Sequence, residues 1–373
     1  MKLLVIGVGN CGCNLAEEFA QLNRRAKAER RVNIITHAYA VNDDQTTLAV
    51  VTKSQSKSQS KWLQPVFIHN PHEGKNKSSE AGAELMRDQV ERVFTAMKPG
   101  ELLETDAVLL IAGSAGSLGS GGVPVIAQQL KGRYVGKPIY ALIVLPFESE
   151  SADSQYIHNT AICLNSIYQS VAAVFLVDNE GFLIEGNMAS GENVSSSNKE
   201  IVLPFYDLLC ASEMVDSGHV GSRALGIGDI MQTLAGWTAI GVGNVKFTAS
   251  KSLWRKTQDF REKGSETLTA MEAMNAALSQ LSTICKLEDA GKALYLLSVP
   301  SKEANIDMSK ALGNHLRELA YSAVITGGDF HGAKDSVQVT VAISELNYVD
   351  KIKDYYDRAV NLDNKPKTKK KTG

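Results

Sequence analysis

The chain has 373 residues, of which 44% are hydrophobic and 21% are charged, and its formal net charge at pH 7 is −2. These values predict a globular chain that is long enough for two domains. The balanced charge gives no sign of specific nucleic-acid binding. The five cysteines form no C-x-x-C pair, a pattern typical of reduced thiols in the cytoplasm rather than of a disulfide framework or a zinc site.

The N-terminal apolar run is too short for a signal peptide or a membrane span, and it predicts a strand over residues 3–6. It leads into residues 7–12, which read G-x-G-x-x-G, and a helix is predicted over 14–23. This motif between a strand and a helix suggests a dinucleotide site, but such a site needs an acidic residue about 20 positions further on. The second predicted strand instead ends in Asn42 and Asp43. An NAD(P)-dependent Rossmann enzyme therefore stays open as one alternative.

Residues 52–61 form a short polar repeat, which predicts a surface loop because it cannot bury a core. A short strand is predicted over 66–69, and a serine-capped helix over 79–97. Lys75 lies between them and is interpreted as an exposed lysine, although it could meet a phosphate.

A second glycine-rich segment, residues 112–127, reads AGSAGSLGSGGVPVIA and follows an apolar strand predicted over 107–111. A helix is predicted over 123–130, with Pro124 in its first turn. A strand, a glycine loop and a helix start place free backbone N–H groups and a positive helix end at one spot. The segment therefore predicts a phosphate-binding loop, with a Gly/Ser-rich loop without a ligand as the alternative.

Further strands are predicted over 138–145 and 173–177, with a helix over 154–170 between them. This alternation predicts an α/β fold with a doubly wound parallel sheet, in which ligands bind beyond the carboxyl ends of the strands. Every glycine-rich or polar candidate segment lies at that end, namely 7–14, 42–44, 113–122, 146–150 and 178–180.

The second half predicts a smaller α+β domain behind a long helix over 196–214 and a Gly/Ser-rich linker. No catalytic cluster is visible in this half. Its predicted helices lie near 265–282, 308–320 and 350–359, its strands near 238–248, 292–299, 321–326 and 336–345, and a turn at Gly327 and Gly328. The predicted organisation is a nucleotide-binding domain (1–195), a connecting helix (196–216), a C-terminal domain (217–360) and a basic tail (361–373).

The order and spacing of these segments resemble the tubulin/FtsZ superfamily over nearly the whole chain, and the CetZ-type archaeal members in particular. Residues 7–14 correspond to the first phosphate loop of the family, and Asn42-Asp43 to its Asn-Thr-Asp segment. Residues 115–121 (AGSLGSG) stand where the family has GGGTGSG. The segments 146–150 and 178–179 occupy the positions of its sugar and base loops.

This resemblance implies a cytoskeletal protein that binds GTP or GDP with Mg²⁺, polymerises head to tail and hydrolyses GTP at the subunit interface. Glu150 would hold the ribose, Asn179 and Asn198 would recognise guanine, and no residue is assigned as a metal ligand. Asp229 matches the acidic residue that acts on the nucleotide of the next subunit, with a helix N-cap as the alternative. The phosphate contacts implied by the family are Gly9, Asn10, Cys11, Gly12, Cys13, Asn14, Asn42, Asp43, Gly116, Ser117, Gly119, Ser120 and Gly121.

The sequence departs from the family at several of these positions. Ala115, Ser117 and Leu118 replace Gly, Gly and Thr, which removes one hydroxyl near the phosphates, and Val194 replaces a base-stacking aromatic residue. GTP binding with slow or vestigial hydrolysis is therefore expected, and a tubulin-like scaffold or regulator that does not hydrolyse GTP is the second alternative. The lysine-rich tail is interpreted as a solvated segment, or as a contact with a membrane or an acidic partner.

Overall fold

A computed structural model describes residues 1–55, 62–71, 77–98, 100–182, 191–214, 223–246, 260–300, 306–332 and 335–364. The strands are β1 (Leu3–Val8), β2 (Ile35–Asn42), β3 (Gln64–Phe67), β4 (Ala107–Gly113), β5 (Ile139–Leu145), β6 (Ala173–Asp178), β7 (Gly236–Lys246), β8 (Ala290–Val299), β9 (Val324–His331) and β10 (Ser336–Leu346). The helices are α1 (Gly9–Arg30), α2 (Gln45–Thr52), α3 (Ser79–Ala96), α4 (Ser117–Arg133), α5 (Ser154–Ser170), α6 (Gly191–Glu213), α7 (Ile227–Thr233), α8 (Phe260–Ser279), α9 (Ile306–Leu319) and α10 (Asp350–Asp363).

The ten strands form one continuous sheet in the order β3-β2-β1-β4-β5-β6-β7-β10-β8-β9. All neighbouring pairs from β3 to β7 are parallel, whereas β10 runs antiparallel to both β7 and β8. The predicted fold class, a doubly wound parallel sheet followed by an α+β part, is confirmed. The two parts share the sheet, because residues 236–238 of β7 pair with residues 173–175 of β6. The domain boundaries given above stay predictions.

Helices cover both faces of the parallel part, as uninterrupted apolar strands predict. All six residues of β1 are buried. Leu4, Ile6 and Val8 belong to the core beneath α3, α4 and α5, whereas Leu3 and Val5 belong to the opposite core, beneath α1 and α6. β1 therefore contributes side chains to both hydrophobic cores.

The long helix α6 connects the two parts of the chain. It packs against α1 on one side and against β7, β8 and β10 on the other. Asp207 of α6 is buried and accepts hydrogen bonds from the Arg30 guanidinium at 2.5 Å and from the Gln338 amide at 2.6 Å. One buried carboxylate thus joins α1, α6 and β10.

The glycine-rich segments are helical where the sequence predicts loops. α1 begins at Gly9 rather than near residue 14, and α4 begins at Ser117 rather than near residue 123, so Pro124 lies in the helix interior. Tertiary packing overrides the low helix propensity of glycine here. A Cβ on Gly12 would lie 2.3 Å from the carbonyl oxygen of Ile111 in β4.

Other differences between the predicted and the observed elements also have identifiable local causes. The predicted turn at Gly327 and Gly328 lies inside β9, where a Cβ on Gly327 would lie 2.1 Å from the ring of Tyr295. The helix α2 is not predicted; it is capped by Asp44, whose carboxylate accepts hydrogen bonds from the N–H groups of Thr46 and Thr47. Asp229 is not a helix N-cap, because Gly226 caps α7 and Asp229 lies in its first turn. Residues 56–61 of the polar repeat, Lys75 and residues 365–373 of the tail lie outside the described residues. No helix in the described ranges is long and apolar enough to cross a membrane.

The contact between α3 and α4 generates a prediction about stability. A Cβ on Gly121 of α4 would lie 1.9 Å from the carbonyl oxygen of Ser79 at the start of α3, whereas a Cβ on Gly132 of α4 meets nothing within 4 Å. We expect Gly121→Ala to lower the free energy of unfolding by about 1–3 kcal/mol through overpacking. Gly132→Ala should raise it by about 0.5–1 kcal/mol. Urea denaturation of both variants tests this, and similar shifts in the two would contradict the packing role of Gly121.

Candidate functional site

A polar cleft of about 480 Å³ lies at the carboxyl ends of β1, β4 and β5. Ten of the residues predicted from the sequence line it: Gly9, Asn10, Cys11, Asn42, Asp43, Gly116, Ser117, Gly119, Glu150 and Asn179. The tertiary structure adds lining residues that the sequence analysis does not assign, among them Asn70, Lys77, Phe147 and Tyr156.

Two helix N-termini meet in this cleft without side-chain caps. Neither Val8, which precedes α1, nor Gly116, which precedes α4, makes a side-chain cap hydrogen bond. The first bond within α4 runs from the Ser120 N–H to the Gly116 oxygen at 2.9 Å, so the three preceding N–H groups have no acceptor in the helix. Free N–H groups and two positive helix ends form a site for an anion.

Glycine brings these two helix ends together. Gly9 has a φ of +72°, and a Cβ built on it would lie 3.5 Å from the backbone nitrogen of Gly119. A Cβ on Gly119 would lie 2.8 Å from the carbonyl oxygen of Gly113. The wall of the cleft is therefore bare backbone, which an oxyanion can approach closely.

The end of β2 supplies a network of polar side chains. The Asn42 amide donates to the Asn10 side-chain oxygen at 2.7 Å. The Thr47 hydroxyl, which donates to the Asp44 carboxylate at 2.6 Å, lies 3.2 Å from the same Asn10 oxygen. The Asp43 carboxylate accepts a hydrogen bond from the Asn70 amide at 2.8 Å. These bonds fix the orientation of the side chains on the α2 side of the cleft.

Asn159 of α5 is fully buried and joins three segments around the cleft. Its side-chain oxygen accepts a hydrogen bond from the Ser79 N–H at 2.8 Å, and its amide donates to the carbonyl oxygens of Lys77 at 2.8 Å and Ala115 at 2.7 Å. Sequence reasoning misses Asn159 because its partners lie 44 to 82 positions away. No local pattern indicates that a polar residue on this helix reaches them.

A residue of the C-terminal part of the chain contacts the loop after β5 and keeps it in position. The Glu150 carboxylate accepts a hydrogen bond from the Phe147 N–H at 3.0 Å. Lys351 of α10 lies 3.4 Å from the Glu148 carboxylate and 3.3 Å from that of Asp178. Burial lowers the pKa of Lys351, but the Asp178 and Glu148 carboxylates outweigh it, so the net pKa is raised. Lys351 therefore stays charged and links the loops after β5 and β6.

Six of the residues predicted to bind the nucleotide do not line the cleft. Four of the six, Gly12, Cys13, Ser120 and Gly121, are buried. The thiol of Cys13 lies under the cleft floor, where it donates to the Val41 oxygen at 3.5 Å. Asn198 lies on α6 next to Ser197, whose hydroxyl donates to the Phe182 oxygen at 2.9 Å. The six are Gly12, Cys13, Ser120, Gly121, Asn14 and Asn198.

Asp229 lies at the opposite end of the sheet from the cleft. Its helix, α7, precedes Gly236, which pairs with Ala173 at the start of β6, whereas the cleft residue Asn179 follows the end of that strand. The six residues of β6 span about 20 Å at about 3.3 Å per residue. The exposed Asp229 carboxylate accepts a hydrogen bond from the Gly226 N–H at 2.9 Å. Asp229 therefore cannot reach the cleft of its own chain.

The cleft has few metal-binding groups of its own. Across the described ranges, no cluster of three or more His, Cys, Asp or Glu residues could hold a metal ion. Mg²⁺ in nucleotide sites is usually held by one or two carboxylates together with phosphate oxygens. The carboxylate of Asp43, which lines the cleft, fits a Mg²⁺ ion that also takes phosphate oxygens as ligands.

Two family models match the chain and together cover almost all of it. Residues 2–184 match the Tubulin/FtsZ family, GTPase domain, and residues 189–361 match the tubulin-like CetZ, C-terminal domain. The chain belongs to the tubulin/FtsZ superfamily. The resemblance found in the sequence is confirmed, and the uncapped helix ends lie inside the region matched by the GTPase-domain model.

Known tubulin-like proteins resemble this chain over nearly its full length. The tubulin-like protein CetZ1 of Haloferax volcanii is 28% identical over 377 residues, covering 96% of this chain and 92% of that protein. The solved structure of CetZ1 from Haloferax volcanii as a GDP-bound monomer gives a TM-score of 0.78 at 25% identity, covering 97% of this chain and 100% of that one. The CetZ2 GTPγS-bound protofilament from Haloferax volcanii gives a TM-score of 0.79 at 23% identity, covering 97% and 99%, and has the same fold.

Asn159 generates the first prediction for this site. Asn159→Ala leaves the N–H of Ser79 and the carbonyl oxygens of Lys77 and Ala115 without their buried partner, so we expect a loss of about 3 kcal/mol in unfolding free energy. Hydrogen exchange of residues 115–119 should accelerate. Asn165→Ala, at an exposed position of the same helix, should change the unfolding free energy by less than about 0.5 kcal/mol. Unchanged exchange in residues 115–119 of Asn159→Ala would contradict the anchoring role.

Cys11 generates a prediction about pH. Burial, reinforced by the Glu150 charge, raises the pKa of the Cys11 thiol to about 12. Because alkylation requires the thiolate, the rate at which iodoacetamide alkylates Cys11 should increase about tenfold per pH unit up to pH 10 in the folded protein. In the protein unfolded by urea, the alkylation rate should level off at about pH 9. Fragment-ion mass spectrometry separates Cys11 from Cys13, and a plateau near pH 9 in the folded protein would show that the pKa is not raised.

Proposed function

We propose that this chain is a cytoplasmic, GTP-binding cytoskeletal protein that assembles head to tail and hydrolyses GTP at the interface between subunits. The observation that carries the proposal is the separation of the anion-binding cleft from Asp229 at opposite ends of the sheet. A second copy stacked on the cleft end would bring its own Asp229 to the nucleotide. The GTPγS-bound protofilament described for CetZ2 supports such stacking.

In this proposal the cleft holds GTP or GDP with Mg²⁺. The N–H groups at the start of α1 and α4 bind the phosphates, Asp43 would offer a carboxylate to the magnesium ion, and Glu150 holds the ribose. Asn179 recognises the guanine from the lining of the cleft, and Asn198 on α6, outside that lining, is assigned to the guanine by the family resemblance. Gly12, Cys13, Asn14, Ser120 and Gly121 shape the floor of the site from below, through the backbone and the packing of α1 and α4.

Asp229 has the position and freedom that action on a neighbouring subunit requires. It is exposed, its carboxylate is oriented by the Gly226 N–H, and its charge can polarise an attacking water. An interface in which one end of the molecule meets the other end of the next is heterologous. Such contacts repeat without closing and produce a filament.

One observation favours a scaffold that hydrolyses GTP slowly or not at all. The Ser117 hydroxyl donates to the Ser78 oxygen at 2.7 Å, and the Ser120 hydroxyl donates to the Ser117 oxygen at 3.2 Å. Leu118 has no hydroxyl. The hydroxyls at the start of α4 are therefore directed into the protein, so phosphate binding depends on backbone N–H groups, and this alternative stays open beside the first.

Phosphate release measured with GTP and Mg²⁺ over a series of protein concentrations, with light scattering in parallel, tests the proposal. Release per molecule that rises with concentration and follows the scattering supports a site shared between subunits. Binding without release favours the scaffold. Binding of NAD(P) in place of GTP would point to a Rossmann enzyme and contradict both.

Substitution of Asp229 separates turnover from binding. Asp229→Asn keeps an acceptor for the Gly226 N–H but removes the charge, so phosphate release should fall about a hundredfold or more while the affinity for GTP stays the same. Gln232→Ala, at an exposed position on the same helix, should leave both unchanged. Equal loss of binding and release in Asp229→Asn would place Asp229 at the cleft of its own chain.

A further inference from the structure

We propose that Lys77 binds the terminal phosphate of the nucleoside triphosphate in the cleft, an inference that rests on the proposed function. Lys77 is the only positively charged side chain among the described residues that line the cleft. The residue is exposed, and within the described ranges its ammonium group forms no ion pair or hydrogen bond. It is therefore available to a ligand, with three donors and a full charge.

The backbone of Lys77 is held in place although its side chain is free. The buried Asn159 amide donates to the Lys77 oxygen at 2.8 Å and to the Ala115 oxygen at 2.7 Å. On the other side, the Ser117 hydroxyl donates to the Ser78 oxygen at 2.7 Å. These bonds fix the start of α3 beside the start of α4, which places the lysine over the uncapped helix end.

Among the described residues that line the rest of the cleft, no positive side chain balances a triphosphate. The other ionisable side chains that line it within the described ranges include the carboxylates of Asp43 and Glu150, which are negative, and the thiol of Cys11, which is neutral at pH 7. Backbone N–H groups supply only partial charges, and the hydroxyls of Ser117 and Ser120 are used within the protein. Beside the Mg²⁺ ion of the proposed function, Lys77 is the side chain among the described lining residues that adds a full positive charge.

The position of Lys77 in the cleft indicates that it contacts the outermost phosphate of the nucleotide. Glu150 and Asn179 lie beyond β5 and β6, which leaves the sugar and base at that side of the cleft. The inner phosphates belong where Gly9 and Gly119 approach each other, because bare backbone can contact them from both helices. Lys77 lies at the exposed rim, where the third phosphate of a triphosphate would lie. A diphosphate has no phosphate group at that position.

A comparison of GTPγS and GDP affinities tests the inference. Lys77→Ala should weaken GTPγS binding about tenfold, the value of one charge-assisted hydrogen bond, and GDP binding less than about twofold. Lys77→Arg should recover most of the GTPγS affinity, and the GTPγS defect should shrink at high salt as the charge is screened. Lys98→Ala, an exposed lysine beyond the other end of α3, is the matched control and should bind both nucleotides like the wild type.

The outcomes separate this inference from the proposed function. A wild-type protein that binds neither nucleotide overturns both. A wild-type protein that binds them, combined with Lys77→Ala that loses both affinities equally or neither, overturns the role of Lys77 alone. Thermal unfolding of each variant should match the wild type, because the Lys77 side chain is exposed. A selective loss of GTPγS affinity without a change in thermal unfolding supports contact with the terminal phosphate.

Discussion

The close approach of two uncapped helix ends, α1 and α4, is the constraint on which the rest of the molecule depends. Both helices point their positive ends at the same small space, and the N–H groups of their first turns have no partner within the helix. Such an arrangement is unfavourable until water or an anion satisfies the donors. Binding of a polyanion therefore stabilises an arrangement that the fold has already assembled, with little reorganisation of the backbone.

That constraint explains where the glycines are and what holds the neighbouring loops. Glycines 12, 82 and 121 are needed for the contacts of α1 with β4 and of α3 with α4, because a Cβ at any of them would overlap backbone atoms. Around this close-packed base, Asn159 joins α5 to the starts of α3 and α4. Positions that resemble ligand-binding glycines in the sequence thus include several whose first role is packing.

The cleft is also connected to the C-terminal part of the chain. Lys351 of α10 links the loops after β5 and β6, and the Tyr355 hydroxyl is 2.8 Å from that of Ser151. On the opposite face, Asp207 joins α1 to α6 and β10. The segments assigned to the sugar and base therefore contact α10, which belongs to the same C-terminal part of the chain as α7 and Asp229.

The sequence by itself determined the alternation of buried strands and helices, the fold class and the superfamily, because these depend on local apolar patterns and on the order of short motifs. It placed α5 at its observed bounds, since Asp153 caps that helix locally. Only the tertiary structure decided that the glycine segments are helix starts and that residues 236–238 extend the parallel sheet. It also decided that Lys77 lines the cleft and that the buried Asn159 holds the segments around it. Those features arise from contacts between residues far apart in the chain, and no local pattern records such contacts.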